Sequence, residues 1–431
     1  MILFAGKAYP ASEQRRLLDE LEDRINATLS GRRLLPDTVI QAINRLGKAL
    51  RAGELDETIK LSGFSEYTGR INEFASLLSE EYLSRKVRAE LGEGFFEPSE
   101  TSAACGLDGI KNIPMPLGTL FHIAAGNMDT LPAYTVVEGL LTGNINLLKL
   151  PQADNGLTVA ALMKLIEIEP SLAEYIYVFD TPSSDIATMR RLSELADGIV
   201  VWGGDAAVGA VRAMAPTGAK LIEWGHRLSF AYLSGGYSVK SDELFALAEH
   251  IVATEQLLCS SCQTIFIDTE SMTEIDHFCR DFLPVLQEAR NGHPVTDIGA
   301  AAEISLKNYT AELERAISGK NEDNNRKYSG RMCSLIAGED SELELSELFG
   351  RVLVKRLPRD KMMSVLRRKK GYLQTAGLIC DNSDRETLTE LLLRCGANRV
   401  TSAGNMSAAF IGESHDGEFA LRRYVRIANV Q

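Results

Sequence analysis

The chain lacks the marks of secretion and of membrane insertion. Its opening, MILFAGKAYP, has no basic flank followed by a sustained apolar core, and Glu13, Arg15 and Arg16 follow at once. No apolar run reaches the roughly 20 residues that a membrane-spanning helix needs. The expectation is therefore no signal peptide, no membrane span and a cytoplasmic location. An excess of positive charge is also missing: 46 Lys and Arg against 59 Asp and Glu leave a net charge of -13, which disfavours nucleic acid as a partner. The seven cysteines, at 105, 259, 262, 279, 333, 380 and 395, are odd in number and show no paired framework, so free thiols in a reducing compartment are expected. There is no GxGxxG and no second CxxC. The six histidines, at 122, 226, 250, 277, 293 and 415, show no ligand spacing, so no metal site is expected.

What is present is a soluble-type composition, 45% hydrophobic and 24% charged, on a 431-residue chain long enough for two or three packed units. Residues 12–29, 36–51 and 65–91 place apolar side chains three and four apart between charged ones, the pattern of amphipathic helices. From Pro116 the pattern changes. Apolar runs at 118–125, 144–150, 175–179, 198–202, 221–223 and 228–233 alternate with helical stretches. Their hydrophobicity is continuous rather than alternating, which predicts strands covered on both faces in a mostly parallel, doubly wound sheet. A second α/β unit follows, with helices expected at 242–253, 273–289 and 385–394, strands at 264–268 and 351–357, and a polar surface loop at 319–329. The resulting division is a helical N-terminal region (1–98), a nucleotide-binding domain (99–240), a catalytic cysteine domain (241–402) and a C-terminal return and oligomerisation segment (403–431).

Several residues could carry chemistry. Cys259 lies in QLLCSSCQTIFID, on a short Ser-rich loop between a helical run and a β-branched run, where a nucleophilic thiol has a fixed backbone and an open side. The alternative is that Cys259 and Cys262 are two small buried hydrophobes. Trp202-Gly203-Gly204 through Val208-Gly209 forms a Gly-rich turn after a strand and before a helix, where a backbone can approach a pyrophosphate. Asn127 after the first strand could donate to an oxyanion and Lys149 after the second could hold ribose or phosphate. A helix-capping Asn and a solvated Lys are the plain alternatives. Glu223, before Trp224-Gly225, could serve as general acid or base or be a solvated strand-end carboxylate.

The order Pro116-Leu117-Gly118, Asn127, Gly143-Asn144, Lys149, Gly203-Gly204 to Gly209, Glu223-Trp224-Gly225, Cys259 and Glu347-Leu348-Phe349-Gly350 resembles the aldehyde dehydrogenase superfamily. The Cys-Ser-Ser loop and the helical lead-in are similar to its Lux-type acyl-CoA reductases, the fatty-acid reductase component of bacterial bioluminescence. The likeness runs from about Pro114 to the C-terminus. It implies an aldehyde-dehydrogenase-like α/β fold, with a doubly wound parallel-sheet cofactor domain, an α/β catalytic domain and a helical N-terminal region. It also implies NADPH-dependent reduction of a fatty acyl-CoA or acyl-protein thioester to the aldehyde through an acyl-cysteine.

The roles implied by the resemblance are specific. Cys259 accepts the acyl group, and four residues separate it from the following strand as in the family, whereas Cys262 stands too close to Thr264. Asn127 and the Cys259 backbone N–H form the oxyanion hole. Lys149 binds the adenosine ribose or its phosphate, Gly203, Gly204 and Val208 the diphosphate, and Glu347 with Phe349 the nicotinamide ribose. Gln152, where NAD-preferring members carry an acid, does not repel a 2′-phosphate and so leans toward NADPH, with NADH possible and Asp154 tempering the lean. Departures are also present: Glu255-Gln256-Leu257-Leu258 sits one residue out of step with the family's Gly-Gln, and His226 replaces a glycine. A homodimer or homotetramer built through 102–115 and 424–431 is implied, as is an acyl-protein synthetase partner. The Lys355-Arg356, Arg359, Lys361 and 367–370 basic stretch reads either as a CoA-docking patch or as a solvated charged face. A hydrolytic aldehyde dehydrogenase using Glu223 and a non-catalytic nucleotide-binding scaffold are the competing functions.

Overall fold

The computed structural model describes residues 1–61, 68–100, 109–124, 131–151, 156–235, 241–294 and 326–431. They form two compact units, Met1–Gly225 with Phe410–Gln431, and His226–Ala409.

The first unit is built on a seven-stranded sheet. Across it the order is Lys7–Tyr9, Ile2–Phe4, Ile176–Phe179, Ile145–Lys149, Thr119–Ile123, Gly198–Trp202 and Lys220–Trp224. The last five are mutually parallel. Chain order reverses between Thr119–Ile123 and Gly198–Trp202, the switch point at which such sheets open a crevice beyond the strand carboxyl ends. Alternate residues explain the continuous hydrophobicity. Leu120, Leu148, Val178 and Val200 pack on one face with Val136, Leu140 and Leu162. Phe121, Leu147, Tyr177 and Ile199 pack on the other with Leu17, Leu21, Leu192 and Val211.

The helical reading of residues 1–98 is right for Gln14–Leu29, Pro36–Arg51 and Glu80–Leu91. It misses the N-terminal hairpin, in which Ile2–Phe4 pairs antiparallel with Lys7–Tyr9 and meets Val178 through Leu3. Three apolar residues are too few to show a period, yet all three are buried. The C-terminal return is fastened by Glu90, whose carboxylate accepts from the Leu421 N–H at 2.9 Å and pairs with buried Lys86. Asn144 adds a second tie, accepting from the Gly118 N–H and donating to the Tyr424 carbonyl, both at 2.9 Å. Val425–Val430 pairs antiparallel with Lys111–Pro116, which in turn pairs with Ser99–Glu100.

The second unit holds another seven-stranded sheet, ordered Arg326–Gly330, Cys333–Gly338, Arg351–Arg356, Cys262–Ile267, Leu228–Leu233, Leu373–Ile379 and Arg399–Ser402. All neighbours are parallel except the first pair. Two expectations are corrected. The strand at 228–233 belongs to this sheet and not to the first, because it pairs with Cys262–Ile267 on one side and Leu373–Ile379 on the other. Residues 326–329 of the stretch expected as a surface loop belong to an edge strand, Arg326–Gly330, exposed at Arg326 and Ser329; 319–325 lie outside the described residues. Leu247, Ile251, Phe278 and Phe282 cover one face of the sheet, and Met362, Leu366, Leu388 and Leu392 the other.

Two buried histidines tie stability to pH. His122 is enclosed between Thr135 Oγ1 at 2.8 Å and Asn146 Oδ1 at 3.0 Å, and burial lowers its pKa to about 4. His250 is lowered to about 4 chiefly by burial, then by Arg399. An unfolded histidine titrates near 6.5, so between about 6.5 and 4 the unfolded chain takes up protons that the folded chain refuses. Their stabilising contribution is full above pH 6.5 and is lost as pH falls toward 4. The urea midpoint should decline through that window, and His122→Gln should flatten the decline; an unchanged slope in the variant would contradict this account.

Candidate active site

The site residues of the second unit gather at the amino ends of its central strands. Helix Ser241–Thr254 ends beside them, and residues 255–261 turn the chain into the strand Cys262–Ile267. That turn is backbone-strained: Glu255 and Gln256 have φ of 49° and 60°, values unusual for residues with a Cβ and costing about 1–3 kcal/mol each. The strain persists because side chains over-determine the loop. Glu255 receives both arms of buried Arg290, at 2.5 and 2.8 Å. Buried Gln256 donates through Nε2 to the Cys262 carbonyl at 3.0 Å and to Ser346 Oγ at 2.9 Å, and accepts from the Gly350 N–H at 2.9 Å. Gln263 closes the ring, donating to the Gln256 carbonyl at 2.8 Å and accepting from Ser346 Oγ at 2.7 Å.

This network joins two predicted elements, the cysteine loop and Glu347-Leu348-Phe349-Gly350. The second is a run of three left-handed residues, with φ of 64°, 52° and 77° from Leu348 to Gly350. The Phe349 N–H donates to the Glu255 carbonyl at 3.0 Å. Gly350 cannot be replaced cheaply, because its φ of 77° strains any residue with a Cβ, and a Cβ there would also displace the Arg290 guanidinium, 2.6 Å away, from its place beside Glu255. Glu347 keeps an exposed carboxylate steadied by Arg351 at 2.7 Å.

Cys259 itself is exposed, whereas Cys262 is buried and burial pushes its thiol up to about 12. The two readings of the Cys-x-x-Cys pair therefore separate: Cys262 is the inert hydrophobe and Cys259 the accessible thiol. Gln374 Nε2 donates to Cys259 Sγ at 3.3 Å. Ser229 Oγ donates to the Cys259 carbonyl at 2.7 Å and accepts from the Thr375 N–H at 3.0 Å. A register shift at Ser229 in both flanking ladders accompanies that hydroxyl's double role. Ser260 Oγ and Ser407 Oγ lie 2.7 Å apart, pinning the next residue. Sequence reasoning missed Ser229, Gln374, Ser346 and Arg351. The signal available was a polar side chain inside an otherwise apolar strand, LSFAYL for Ser229 and LQTAGLI for Gln374.

In the first unit, Lys149 ends its strand, nearly buried, with its pKa lowered by desolvation against the pull of Asp180. Gly203 and Gly204 follow the strand Gly198–Trp202 at the switch point, and Gly204 is the N-cap of helix Asp205–Met214 with no side-chain cap. A Cβ on Gly204 would meet nothing within 4 Å, so the helix start offers open backbone to a diphosphate, with Val208 one turn in. Asp205 in that first turn is unfavourable to an anion. These donors fit a dinucleotide. Glu223 lies in the strand Lys220–Trp224 and is held by Arg212 through both oxygens, at 2.5 and 2.6 Å; that hydrogen bonding holds its carboxyl below the usual range. Asn127 and Gln152 lie outside the described residues.

The basic stretch is mostly occupied internally. Lys355 is buried against Asp340 and Glu344, Arg359 pairs with Asp384, Lys361 with Glu270 and Arg368 with Glu342. These pairings favour the charged-face reading over a docking patch.

Removing the central amide tests the loop's construction. Gln256→Leu strands the Gly350 N–H and the Cys262 carbonyl, each worth about 1–3 kcal/mol when buried and unsatisfied. The variant should lose at least about 2 kcal/mol in denaturant unfolding, and an unaltered midpoint would show that the clamp does not hold the loop.

Comparison with known proteins gives the family and the fold. A family model described as acyl-CoA reductase (LuxC) matches residues 35–427. Long-chain acyl-protein thioester reductase 2 of Photobacterium leiognathi is 23% identical, and the long-chain acyl-protein thioester reductase of Photorhabdus laumondii 25% identical, each over 318 residues covering 72% of this chain. The chain spans 63% of the length of each of these curated relatives. Among solved structures, a putative aldehyde dehydrogenase PutA from Anabaena variabilis superposes with a TM-score of 0.70 at 13% identity, over 98% of this chain and 93% of that one. A benzaldehyde dehydrogenase from Corynebacterium glutamicum gives 0.64 at 15% identity, over 99% and 91%. The fold is that of the aldehyde dehydrogenases, and the chain belongs to the LuxC acyl-CoA reductase family.

Proposed function

We propose that this protein reduces a fatty acyl thioester, carried by CoA or by an acyl protein, to the aldehyde, with Cys259 as covalent acyl acceptor. The observation that carries the reading is an exposed thiol on a rigid loop, with an amide donor on its sulfur and buried surroundings for its neighbour Cys262. The relatives' names, acyl-protein thioester reductase and acyl-CoA reductase, share the thioester as substrate.

An ordinary thiol with a pKa of about 8.5 is only a few per cent thiolate at neutral pH. The Cys259 thiolate attacks the thioester carbonyl, a new carbon–sulfur bond forms and the carrier thiolate departs. Asn127 and the Cys259 N–H are the proposed donors to the oxyanion in this step and in reduction of the acyl-cysteine. A bound nicotinamide dinucleotide supplies the hydride. Lys149, Gly203, Gly204 and Val208 are assigned to its ribose and diphosphate, and Glu347 and Phe349 to its nicotinamide ribose. NADPH is the proposed donor, since uncharged Gln152 does not oppose a 2′-phosphate, and NADH is a second donor.

Glu223 is the proposed carboxylate of the chemistry. Its pairing with Arg212, which lowers its pKa, makes it a weak base. That favours a reductase over a hydrolytic dehydrogenase, which depends on a base to deprotonate water.

One labelling experiment tests the scheme. A radiolabelled long-chain acyl-CoA should leave label on the wild type, NADPH should chase it into aldehyde faster than NADH, and Cys259→Ala should take up none. Label retained on the Cys259→Ala variant, or release as free acid abolished by Glu223→Gln, would overturn it.

We also propose a homodimer or homotetramer, and an acyl-protein synthetase as the supplier of acyl protein. Val425–Val430 is an edge strand that leaves Ile427 and Val430 about half exposed. Ile427→Asp should shift the mass measured by light scattering from oligomer to monomer, and an unchanged mass would exclude this edge as the interface.

A further inference from the structure

The strand Leu373–Ile379 is buried along its whole length, and nearly all of it is apolar or small. Gln374 is the exception in kind: a long amide, 7% exposed, placed in the second position of a core strand. Its carbonyl accepts from the Asn398 N–H at 2.9 Å. Its side chain runs to the cysteine loop, where Nε2 donates to Cys259 Sγ at 3.3 Å. Neighbouring Thr375 is used in the same direction, its N–H donating to Ser229 Oγ, which holds the Cys259 carbonyl. Consecutive residues of one strand thus fix the sulfur and, through Ser229, the carbonyl of one residue.

We propose that Gln374 is a catalytic residue of this protein, its amide N–H stabilising the Cys259 thiolate. The inference rests on the reading of Cys259 as acyl acceptor. A donor to the ionised form of an acid favours ionisation, and a neutral amide does so without the salt sensitivity of a lysine or histidine. The charged and titratable groups packed around this corner have other partners. Glu255 is bound by Arg290, His250 accepts from the Cys262 N–H, Arg399 donates to the Asn405 and Ala408 carbonyls, and Arg227 donates to the His226 and Gly371 carbonyls. The amide also stays useful after attack. When the hemithioacetal collapses, the sulfur leaves as a thiolate and returns to the same donor, so Gln374 lowers the barrier to both forming and releasing the acyl-cysteine.

The test is the rate of iodoacetamide alkylation at Cys259, followed by peptide mass as a function of pH in full-length protein. Gln374→Leu keeps the side chain's bulk and removes the donor. It should move the profile's midpoint up by about one unit, equivalent to about 1.4 kcal/mol, and slow alkylation at pH 7 about threefold, because the loss of thiolate, about tenfold, is partly offset by the greater nucleophilicity of the more basic thiolate. Gln374→Glu keeps the shape, replaces the donor by an acceptor and should move the midpoint at least as far. It also serves as the reading if Gln374→Leu does not fold. A merely structural Gln374 would change the unfolding midpoint and leave the alkylation profile where it was; that result in either folded variant overturns the proposal. The acyl-label experiment with Cys259→Ala keeps the two claims apart: retained label refutes the acyl-acceptor reading, whereas an unmoved alkylation profile refutes Gln374 alone.

Discussion

The second unit is organised around a buried carboxamide, that of Gln256. Two stretches of left-handed backbone, one at 255–256 and one at 348–350, are each unfavourable alone. They persist because the amide of Gln256, itself in the first stretch, binds the Gly350 N–H in the second and also the Cys262 carbonyl and the Ser346 hydroxyl beside them. An amide NH2 donates twice while its oxygen accepts, so one side chain satisfies two acceptors and a donor where a hydroxyl, with a single O–H, could satisfy only one of the acceptors. The consequence reaches the chemistry. The loop that carries Cys259 and the turn that carries Glu347 and Phe349 are set by the same hydrogen-bond ring, so the thiol and the proposed nicotinamide-ribose contacts cannot drift independently within this unit.

The two sheets use opposite ends for their candidate residues. In the first, Lys149 and Gly203-Gly204 follow the carboxyl ends of strands beside the switch point, the usual place for a ligand in a doubly wound sheet. In the second, Ser229, Cys259 and Gln374 cluster at amino ends, because the cysteine precedes its strand. The amino ends are normally the less hospitable side, since strand starts there simply receive the chain from a helix. A ladder irregularity at Ser229 and a core amide at Gln374 make the difference, supplying polar reach where the strands would otherwise present only Leu228 and Leu373.

Much of the fold was legible because burial on both faces leaves a strong signature. The strands Gly198–Trp202 and Leu228–Leu233 match their apolar runs residue for residue. Cys333–Gly338 and Leu373–Ile379 escaped notice because Ser334, Gln374, Thr375 and Gly377 interrupt the apolar run. The assignment of 228–233 to the wrong sheet has a similar cause: hydrophobicity identifies a strand and says nothing of its neighbours, which are fixed by ladder pairing across long sequence separations. The order of motifs marked Cys259, Lys149, Gly203-Gly204 and Glu347-Phe349 as candidates. Ser346 and Arg351, which hold the Cys259 loop and Glu347, and Arg212, which holds Glu223, were invisible because each acts through a contact made only in the folded chain, whereas Ser229 left a mark as a polar residue in an apolar strand.

The fate of an acyl-cysteine depends on what reaches its carbonyl first. In a thioester-reducing enzyme, water is the competitor of hydride, and the difference between aldehyde and free acid is a difference in base strength near the site. Glu223, proposed above as the carboxylate of the chemistry, has both its oxygens on Arg212. A carboxylate so held has its proton affinity reduced by the neighbouring guanidinium, which weakens it as a base without removing it. Selectivity among the described thiols follows from burial by similar reasoning. Cys262 and Cys279 are pushed up to about 12, and Cys333 and Cys395 also upward. Among the described cysteines, burial thus leaves Cys259 as the exposed thiol, which is what its proposed role as acyl acceptor requires.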